Sequence, residues 1–308
     1  MTDAGQPKAA VADRFWLDTD GAEERIRDLR PAIGEVYAAG LLDLVKSGFA
    51  VFQGVMSQEL CDAATADYRR FLQAQKHYAD QYVDRFGRHN RLVNFHRTSE
   101  AALKLGASPF LMKFLDLVFG KKAGIYTSLT FEYGTEQPIH RDSPFFHTFP
   151  VNYFVGAWIA LEDIAPDAGP LMYVPGGHRV TIDQHAIYKS VSENAPGSDR
   201  AALIMRALDI YNGDTILASS AIAPPKVALL RKGDLAVWHA MLPHGGAPAL
   251  DKTKTRRSIV FHCAPEAMQV YQQDVFFTYE SAAAPPPRYG FGTFGDRTYS
   301  LVGDTAFQ

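Results

Sequence analysis

The spacing of apolar residues along the chain changes near residue 123. Before that point, residues 30–46 (RPAIGEVYAAGLLDLVK) carry apolar side chains at the helical period, and Pro31 suits a first helical turn. Ser57 is placed to cap a second amphipathic helix, which carries Leu60 and Phe71 on its apolar face. Residues 1–122 are therefore predicted to form a mainly helical support region.

From about residue 123 the period is two. Ile125, Leu129 and Phe131 alternate with the polar Ser128 and Thr130, which predicts a strand with one apolar and one polar face. Further strand candidates, separated by loops rich in Pro and Gly, occupy residues 154–164, 233–242 and 257–265. This succession favours a mainly β fold with flanking helices, in which a barrel-like double-sheet core spans 123–265 and a C-terminal extension spans 266–308 of a single domain, 1–308.

Composition narrows the function classes. The chain has 308 residues, 47% of them hydrophobic, and a formal charge of -3, so it lacks the basic field of a nucleic-acid binder and favours a small-molecule substrate. Cys61 and Cys263 lie far apart without a CxxC pairing, which favours reduced thiols in the cytoplasm. The polar N-terminus predicts no signal peptide, and no apolar run is long enough to predict a membrane helix.

The candidate metal ligands begin with His140 and Asp142 in the segment PIHRDSP. On an extended segment, positions i and i+2 point the same way, so both side chains can reach one ion. His244, in LPHGGAP at the end of a predicted strand, would complete two imidazoles and one carboxylate, the arrangement of non-haem iron(II) oxygenases. The HxD pair alone is weak, because ten histidines make such a pair common by chance.

Five segments in order resemble the phytanoyl-CoA dioxygenase family, which includes ectoine hydroxylase. They are SGFAVFQGVMSQEL, PIHRD, WIALEDIAPDAGPLMYVPGGHR, GDLAVWHAMLPHGGAP and RRSIVFHCAP, between about residues 48 and 265, with Gly177 where the family has a serine. The resemblance implies a double-stranded β-helix (jelly-roll or cupin-like) core, with His140, Asp142 and His244 as ligands of Fe(II). His239 is the rival for the distal ligand, with a wall position as its other interpretation.

The resemblance also implies a reaction. 2-Oxoglutarate and O2 would be cosubstrates, and an unactivated C–H bond of a small metabolite would be hydroxylated with release of succinate and CO2. The family places an arginine about a dozen residues after the distal histidine, where Arg256 and Arg257 both fall. The alignment of the closing strand favours Arg257 as the partner of the far carboxylate of 2-oxoglutarate. Thr130 or Ser128 could hydrogen-bond the same carboxylate, although an ordinary strand hydroxyl is an equal interpretation.

Substrate contacts are predicted in two regions. Residues 85–97 hold four arginines and two histidines, which suggests an anionic substrate group with Arg91 and Asn94 as contacts, or equally a solvated loop. The loop after Asp142 contributes Phe146 and His147 as candidates, and Trp158 lies on the following predicted strand.

Two other interpretations remain open at the level of sequence. A zinc metallohydrolase also uses histidine and aspartate ligands with an open position, and Glu132 or Glu136 would then have to be its general base. A non-catalytic cupin-like protein that binds a metal or small molecule is the second alternative. Oligomeric state is not predicted.

Overall fold

The computed structural model describes residues 14–279 and 289–308, and its N-terminal half carries the predicted helices. Ser57 caps the third helix by accepting a hydrogen bond from the Leu60 amide at 3.1 Å, as predicted. The helix expected over 30–46 is two helices instead, because Gly34 adopts a φ of 85° between them, and Pro31 lies in the last turn of the first one. The elements are α1 (Ala22–Ile33), α2 (Glu35–Ser47), β1 (Phe49–Phe52), α3 (Gln58–Ala74), α4 (Lys76–Ala79), β2 (Leu92–Val93), α5 (Glu100–Gly106) and α6 (Pro109–Phe119).

Two facing sheets form the core that follows. The strands of this part of the chain are β3 (Ala123–Phe131), β4 (His147–Thr148), β5 (Val155–Ala160), β6 (Leu171–Tyr173), β7 (Lys226–Ala228), β8 (Leu235–His239), β9 (His244–Gly246) and β10 (Ser258–Pro265). β4 belongs to neither of the two sheets. The large sheet contains the order β1-β8-β5-β10-β3, and the small sheet has the order β7-β6-β9. The predicted double-stranded β-helix with N-terminal helices is confirmed.

The large sheet has one face toward the helices and one toward the interior of the barrel. Along β10, Ile259 and Phe261 pack into the core shared with the N-terminal helices. Val260 and His262, the alternate residues, line the cavity between the sheets. Strand alternation therefore separates a packing face from a site face on the same strand.

Residues after 265 take part in the same sheet. The elements are β11 (Val270–Tyr271), α9 (Gln273–Thr278), β12 (Phe291–Phe294), β13 (Arg297–Ser300) and β14 (Ala306–Phe307). β13 pairs in parallel with β3, and β14 pairs with β2, which itself pairs with β3. The predicted extension therefore adds strands to the large sheet. The assignment of 1–308 as one domain stays a prediction. Residues 1–13 and 280–288 lie outside the described residues.

Two helices are inserted between the strands of the small sheet. α7 (Gln184–Asn194) and α8 (Arg200–Ser220) lie between β6 and β7 and pack with α9 around the buried Tyr211. Arg141, which separates the two proximal ligand candidates, is fully buried and donates to Tyr211 Oη and to the carbonyl oxygens of Gly177 and Val180. The insertion therefore fixes the backbone on which the candidate ligands lie.

No helix in the described parts of the chain is long and apolar enough to span a membrane.

Candidate metal centre

The three predicted ligands come together at the open end of the small sheet. One ligand atom from each of His140, Asp142 and His244 lies within 4.8 Å of the others. The main chains of the two histidines pair directly, because each amide donates to the other residue's carbonyl oxygen, at 2.9 and 3.0 Å. Backbone pairing therefore sets the separation of the two imidazoles.

Each imidazole is oriented by a backbone carbonyl. Nδ1 of His140 lies 2.8 Å from the carbonyl oxygen of Pro138, and Nδ1 of His244 lies 2.9 Å from that of Leu242. A carbonyl only accepts, so each Nδ1 carries the proton and each Nε2 presents a lone pair. A hydrogen bond of this kind on the far nitrogen is the usual support for a metal-binding histidine.

Protonation states at neutral pH suit a divalent metal. Burial, and then the charge of His244, lowers the pKa of His140 to about 4. Burial alone would raise the pKa of Asp142, but His244 and His262 facing it hold that pKa below its usual value. The indole N–H of Trp238 also donates to Asp142 Oδ2 at 2.8 Å. The neutral imidazole of His140 and the ionised carboxylate of Asp142 are the forms that bind metal.

Glycines permit the close approach of these segments. A Cβ on Gly245 would lie 2.6 Å from the carbonyl oxygen of Gln137, and one on Gly246 would lie 2.9 Å from the amide nitrogen of Glu136. Both obstacles are backbone atoms, which cannot rotate away. Glycine at both positions therefore allows β9 to lie against the segment that carries His140.

A cavity of about 390 Å³ opens beside the three ligands. Most of its wall is apolar, and its polar side chains lie at separate points. The residues used below are Arg91, Asn94, Tyr126, Phe131, Gln137, Phe145, Phe146, Trp158, Trp238, Arg256, His262, Val302 and Gln308. Its size and composition are typical of a small-molecule site.

The structure corrects the choice between the two arginines. Arg257 points away from the cavity and pairs with Glu162 at 2.9 Å and Glu132 at 3.3 Å. Arg256 enters the cavity, 3% exposed, with its guanidinium carbon 5.1 Å from the ring centre of Phe131 and 5.6 Å from that of Trp158. Neighbouring residues on a strand point to opposite faces, so only one of the two arginines can enter the cavity. Arg256 shares its face with Val260 and His262, which also line the cavity.

Arg256 has unmet hydrogen-bonding capacity. Its Nε has no partner within the described residues, and its only contact to an acceptor there is a long one of 3.5 Å from Nη2 to the carbonyl oxygen of Tyr133. Burial lowers the pKa of Arg256 to about 10, so the side chain stays charged at neutral pH. A buried, charged and unpaired guanidinium fits a carboxylate ligand.

Thr130 and Ser128 do not line the cavity. Both hydroxyls lie on the helix-facing side of β3, where Ser128 Oγ lies 2.7 Å from Nδ1 of His96. The residues of this strand that line the cavity are Tyr126, Thr127, Leu129 and Phe131. The polar face was expected to be the site face, but the wall of this cavity is itself mostly apolar.

Four of the five predicted substrate contacts lie at the cavity, namely Arg91, Asn94, Phe146 and Trp158. His147 does not. It lies on β4, buried between the rings of Phe149 at 4.7 Å and Phe276 at 5.5 Å. His239, the rival ligand, does not line the cavity; it is buried at the end of β8 with Nε2 3.1 Å from Asp18 Oδ1.

A model of the phytanoyl-CoA dioxygenase (PhyH) family matches residues 44–258, which is more than half of the chain. The chain belongs to this family. The match confirms the predicted resemblance. Among curated members, phytanoyl-CoA dioxygenase domain-containing protein 1 of Bos taurus is 24% identical over 157 residues, which are 51% of this chain and 49% of that protein. The chain thus spans about half the length of the curated relatives it matches.

Solved structures with this fold include non-haem enzymes. The α-ketoglutarate-dependent carbocyclase SnoK of nogalamycin biosynthesis superposes with a TM-score of 0.58 at 16% identity, covering 76% of this chain and 86% of SnoK. The epimerase SnoN, in complex with Fe3+, α-ketoglutarate and nogalamycin RO, gives 0.58 at 18% identity over 88% and 99%. EctD from S. alaskensis, with 2-oxoglutarate and 5-hydroxyectoine, gives 0.54 at 15% identity over 80% of each chain.

Three residues of this dioxygenase-family site were missed by the sequence analysis. Trp238 donates to Asp142, His262 has Nε2 3.9 Å from Asp142 Oδ2, and Gln137 Nε2 lies 3.2 Å from the ligand nitrogen of His140. His262 lies six residues after Arg256 on the same extended segment, so both side chains point to the same face of the sheet. This alternation was visible in the sequence and could have identified both residues. Trp238 resembled an ordinary core residue, and only the fold brings it to Asp142.

Proposed function

We propose that this family member is an Fe(II)- and 2-oxoglutarate-dependent dioxygenase that hydroxylates an unactivated C–H bond of a small metabolite and releases succinate and CO2. One observation carries the proposal. The Nε2 atoms of His140 and His244 and the carboxylate of Asp142 converge beside a cavity that also holds the buried, unpaired Arg256. The donor set fits iron, and Arg256 fits the cosubstrate.

The three ligand candidates would hold the iron on one face and leave the other face toward the cavity. The bound iron, with O2 and 2-oxoglutarate, supplies the oxidation: one oxygen atom ends in succinate, one in the product hydroxyl, and CO2 leaves. Trp238 keeps Asp142 oriented through its 2.8 Å hydrogen bond. The carbonyl oxygens of Pro138 and Leu242 keep both imidazoles in the binding tautomer.

Arg256 would bind the far carboxylate of 2-oxoglutarate. Its planar guanidinium can pair with both carboxylate oxygens, and the rings of Phe131 and Trp158 restrict its position. Because the arginine is buried, the pairing would take place in a poorly solvated environment, where charged hydrogen bonds are strongest. Burial thus favours an anionic cosubstrate at this point of the cavity.

Aromatic side chains would limit water at the substrate position. Tyr126 and Phe146 lie edge to face with ring centres 5.9 Å apart, and Phe146 stacks on the buried Phe154 at 4.5 Å. A wall of this kind positions an apolar part of the substrate and protects a reactive site from solvent.

A cytoplasmic location of the protein stays a prediction, and no oligomeric state is proposed.

The zinc hydrolase has less support than it had from sequence. Its two candidate general bases are both engaged, Glu132 with Arg257 at 3.3 Å and Glu136 with Lys252 at 2.5 Å. Neither carboxylate lines the cavity at the ligands.

Metal-dependent consumption of 2-oxoglutarate tests the proposal. Protein loaded with Fe(II) should convert 2-oxoglutarate to succinate slowly in air even without substrate, whereas protein loaded with Zn(II) should not. Asp142→Ala should abolish succinate formation with Fe(II), because the carboxylate ligand is lost. Succinate formation that is equal with Fe(II) in the native protein and in Asp142→Ala would refute the proposed site.

A further inference from the structure

Arg91 is a second arginine at the cavity, and its environment differs from that of Arg256. It lies immediately before β2, where its carbonyl oxygen accepts from the amide of Gln308 at 3.0 Å. Within residues 14–279 and 289–308, no hydrogen bond or ion pair engages its side chain. Burial lowers the pKa of Arg91, and the charge of Asp142 partly offsets this. Arg91 is thus a half-buried cation without a protein partner.

The two arginines lie just before β2 and β10, the strands that pair with β3 on its two edges near Phe131. β2 pairs with β3 through Leu92 and Thr130, so one step along that register sets Arg91 opposite Phe131. Arg256 stacks on the same Phe131 from the side of β10. One cosubstrate carboxylate can pair with only one of them in a bidentate manner, which leaves the other available.

Arg91 also lies where the cavity meets the solvent. A surface groove of about 390 Å³ adjoins the cavity, and Arg91 and Phe131 line both spaces. Arg256 lines only the inner space. A molecule that enters through the groove therefore meets Arg91 before it reaches the metal ligands.

The neighbouring cations are already neutralised. Arg88, also in the groove, pairs with Asp84 at 2.6 Å and with Glu136 at 3.4 Å. Lys252 pairs with the same Glu136 at 2.5 Å. Among the four arginines of residues 85–97, Arg91 is the one that lines the cavity in the described structure. A single free cation matches a single anionic group, whereas a polyphosphate or CoA moiety would need several.

The cavity that Arg91 lines has apolar side chains as well as polar ones such as Gln272 and Asp304. Tyr126, Phe145, Phe146 and Val302 line the same cavity. An apolar or aromatic body placed there would bury its surface against these side chains, at about 25 cal/mol per Å². Asn94 is a weaker candidate for a polar contact, because its side chain already accepts from Thr127 Oγ1 and donates to the carbonyl oxygen of Val302.

We infer that the substrate class is a small monocarboxylate with an apolar body, whose carboxylate binds Arg91 while its C–H bond faces the metal ligands. This inference rests on the proposed function. Arg91 would act as a specificity-determining residue, and Arg256 would serve the cosubstrate.

A matched pair of probes tests the inference without turnover. The anaerobic complex with Fe(II) and 2-oxoglutarate is titrated with 3-phenylpropanoate and with 3-phenylpropanamide, and binding is followed by ligand-observed NMR. The native protein should bind the acid at least about tenfold more tightly than the amide. Arg91→Gln should reduce the difference to within about twofold, and Arg91→Lys should restore part of it. Arg85→Gln is the control, because Arg85 is exposed and lines neither the cavity nor the groove.

Several outcomes would overturn the inference. The inference is wrong if the native complex binds the acid and the amide equally or binds neither of them. It is also wrong if Arg91→Gln still prefers the acid, or if the native complex binds free CoA more tightly than the acid. A rise in the 2-oxoglutarate dissociation constant in Arg91→Gln as large as that in Arg256→Gln would assign Arg91 to the cosubstrate instead. Failure of the native protein to form the 2-oxoglutarate complex would refute the proposed function itself, a result distinct from all of these.

Discussion

At the scale of single residues, Arg256 and Arg257 offer a direct comparison of neighbours. Arg256→Gln should weaken 2-oxoglutarate binding by about 30- to 100-fold, because a buried charge-assisted pair is lost. Arg257→Gln should leave that affinity unchanged within about twofold, since this side chain contacts Glu132 and Glu162 outside the cavity. Calorimetry on the anaerobic Fe(II) protein measures both. The reverse order would restore the assignment made from sequence.

Trp238 is a second residue with a specific expected effect. Trp238→Phe keeps an aromatic ring but removes the donor to Asp142, so Co(II) affinity should fall by about tenfold. Trp16→Phe is the matched control, because the Trp16 indole donates at 2.7 Å to the carbonyl oxygen of Val118, away from the site. It should lower stability and leave Co(II) affinity as it was. Equal affinity of the native protein and Trp238→Phe would remove Trp238 from the site.

Single residues also mark the limit of the sequence analysis. His140, Asp142 and His244 could be predicted to cluster because their chemistry is rare in combination and their order matched a family. Arg256 was considered, but the alignment of the closing strand favoured its neighbour Arg257. Ser128 and Thr130 were misplaced because a polar strand face was expected to be the site face.

At the scale of elements, the approach of β9 to the His140 segment depends on glycine. Gly245→Ala would place a Cβ 2.6 Å from a backbone carbonyl oxygen, so the two segments must separate. Because these segments carry two of the proposed metal ligands, we expect Co(II) affinity to fall at least about tenfold, with a lower melting temperature. Gly213→Ala, in α8 with nothing within 4 Å, is the control and should be neutral or stabilising by about 0.5–1 kcal/mol. Unchanged Co(II) affinity in Gly245→Ala would contradict this account.

Helices and strands of the core were predictable where the period was clear, as for α3 with its Ser57 cap and for β3. The break between α1 and α2 was not predicted, because the apolar period continues across Gly34 and only the φ of 85° ends the first helix. The pairing of β14 with β2 depends on contacts between residues more than 200 positions apart, such as Ala306 and Val93. Local periodicity carries no information on such contacts.

At the scale of the whole molecule, buried histidines make stability depend on pH. Burial lowers the pKa to about 3 for His96 and His178 and to about 4 for His140, His147 and His262. The unfolded chain, with ordinary histidine pKa values near 6.5, therefore binds more protons between about pH 6.5 and pH 4. The free energy of unfolding of the metal-free protein should fall as pH decreases through this window, by up to about 1.4 kcal/mol per pH unit for each histidine.

Urea unfolding between pH 7 and pH 5 measures this dependence. His96→Gln should reduce the slope by about one proton, whereas His77→Gln, at an exposed position, should leave it unchanged. A free energy of unfolding that is constant or rises toward pH 5 would contradict the burial of neutral histidines.

The fold class was accessible from sequence because helices followed by short strands, with five ordered segments, restrict the architecture strongly. The role of residues 266–308 was not, since an extension in sequence becomes a wall of the cavity only through the pairing of β13 and β14 with the large sheet. The wall of the cavity therefore includes parts of the chain that no local motif identified.

The central claim is that His140, Asp142 and His244 bind iron beside a 2-oxoglutarate site. The most direct measurement is anaerobic addition of 2-oxoglutarate to the Fe(II) protein, followed by visible absorption. The account predicts a weak metal-to-ligand charge-transfer band that saturates at one 2-oxoglutarate per chain and is absent in His140→Ala. Absence of the band in the native protein, or its persistence in His140→Ala, would contradict the account.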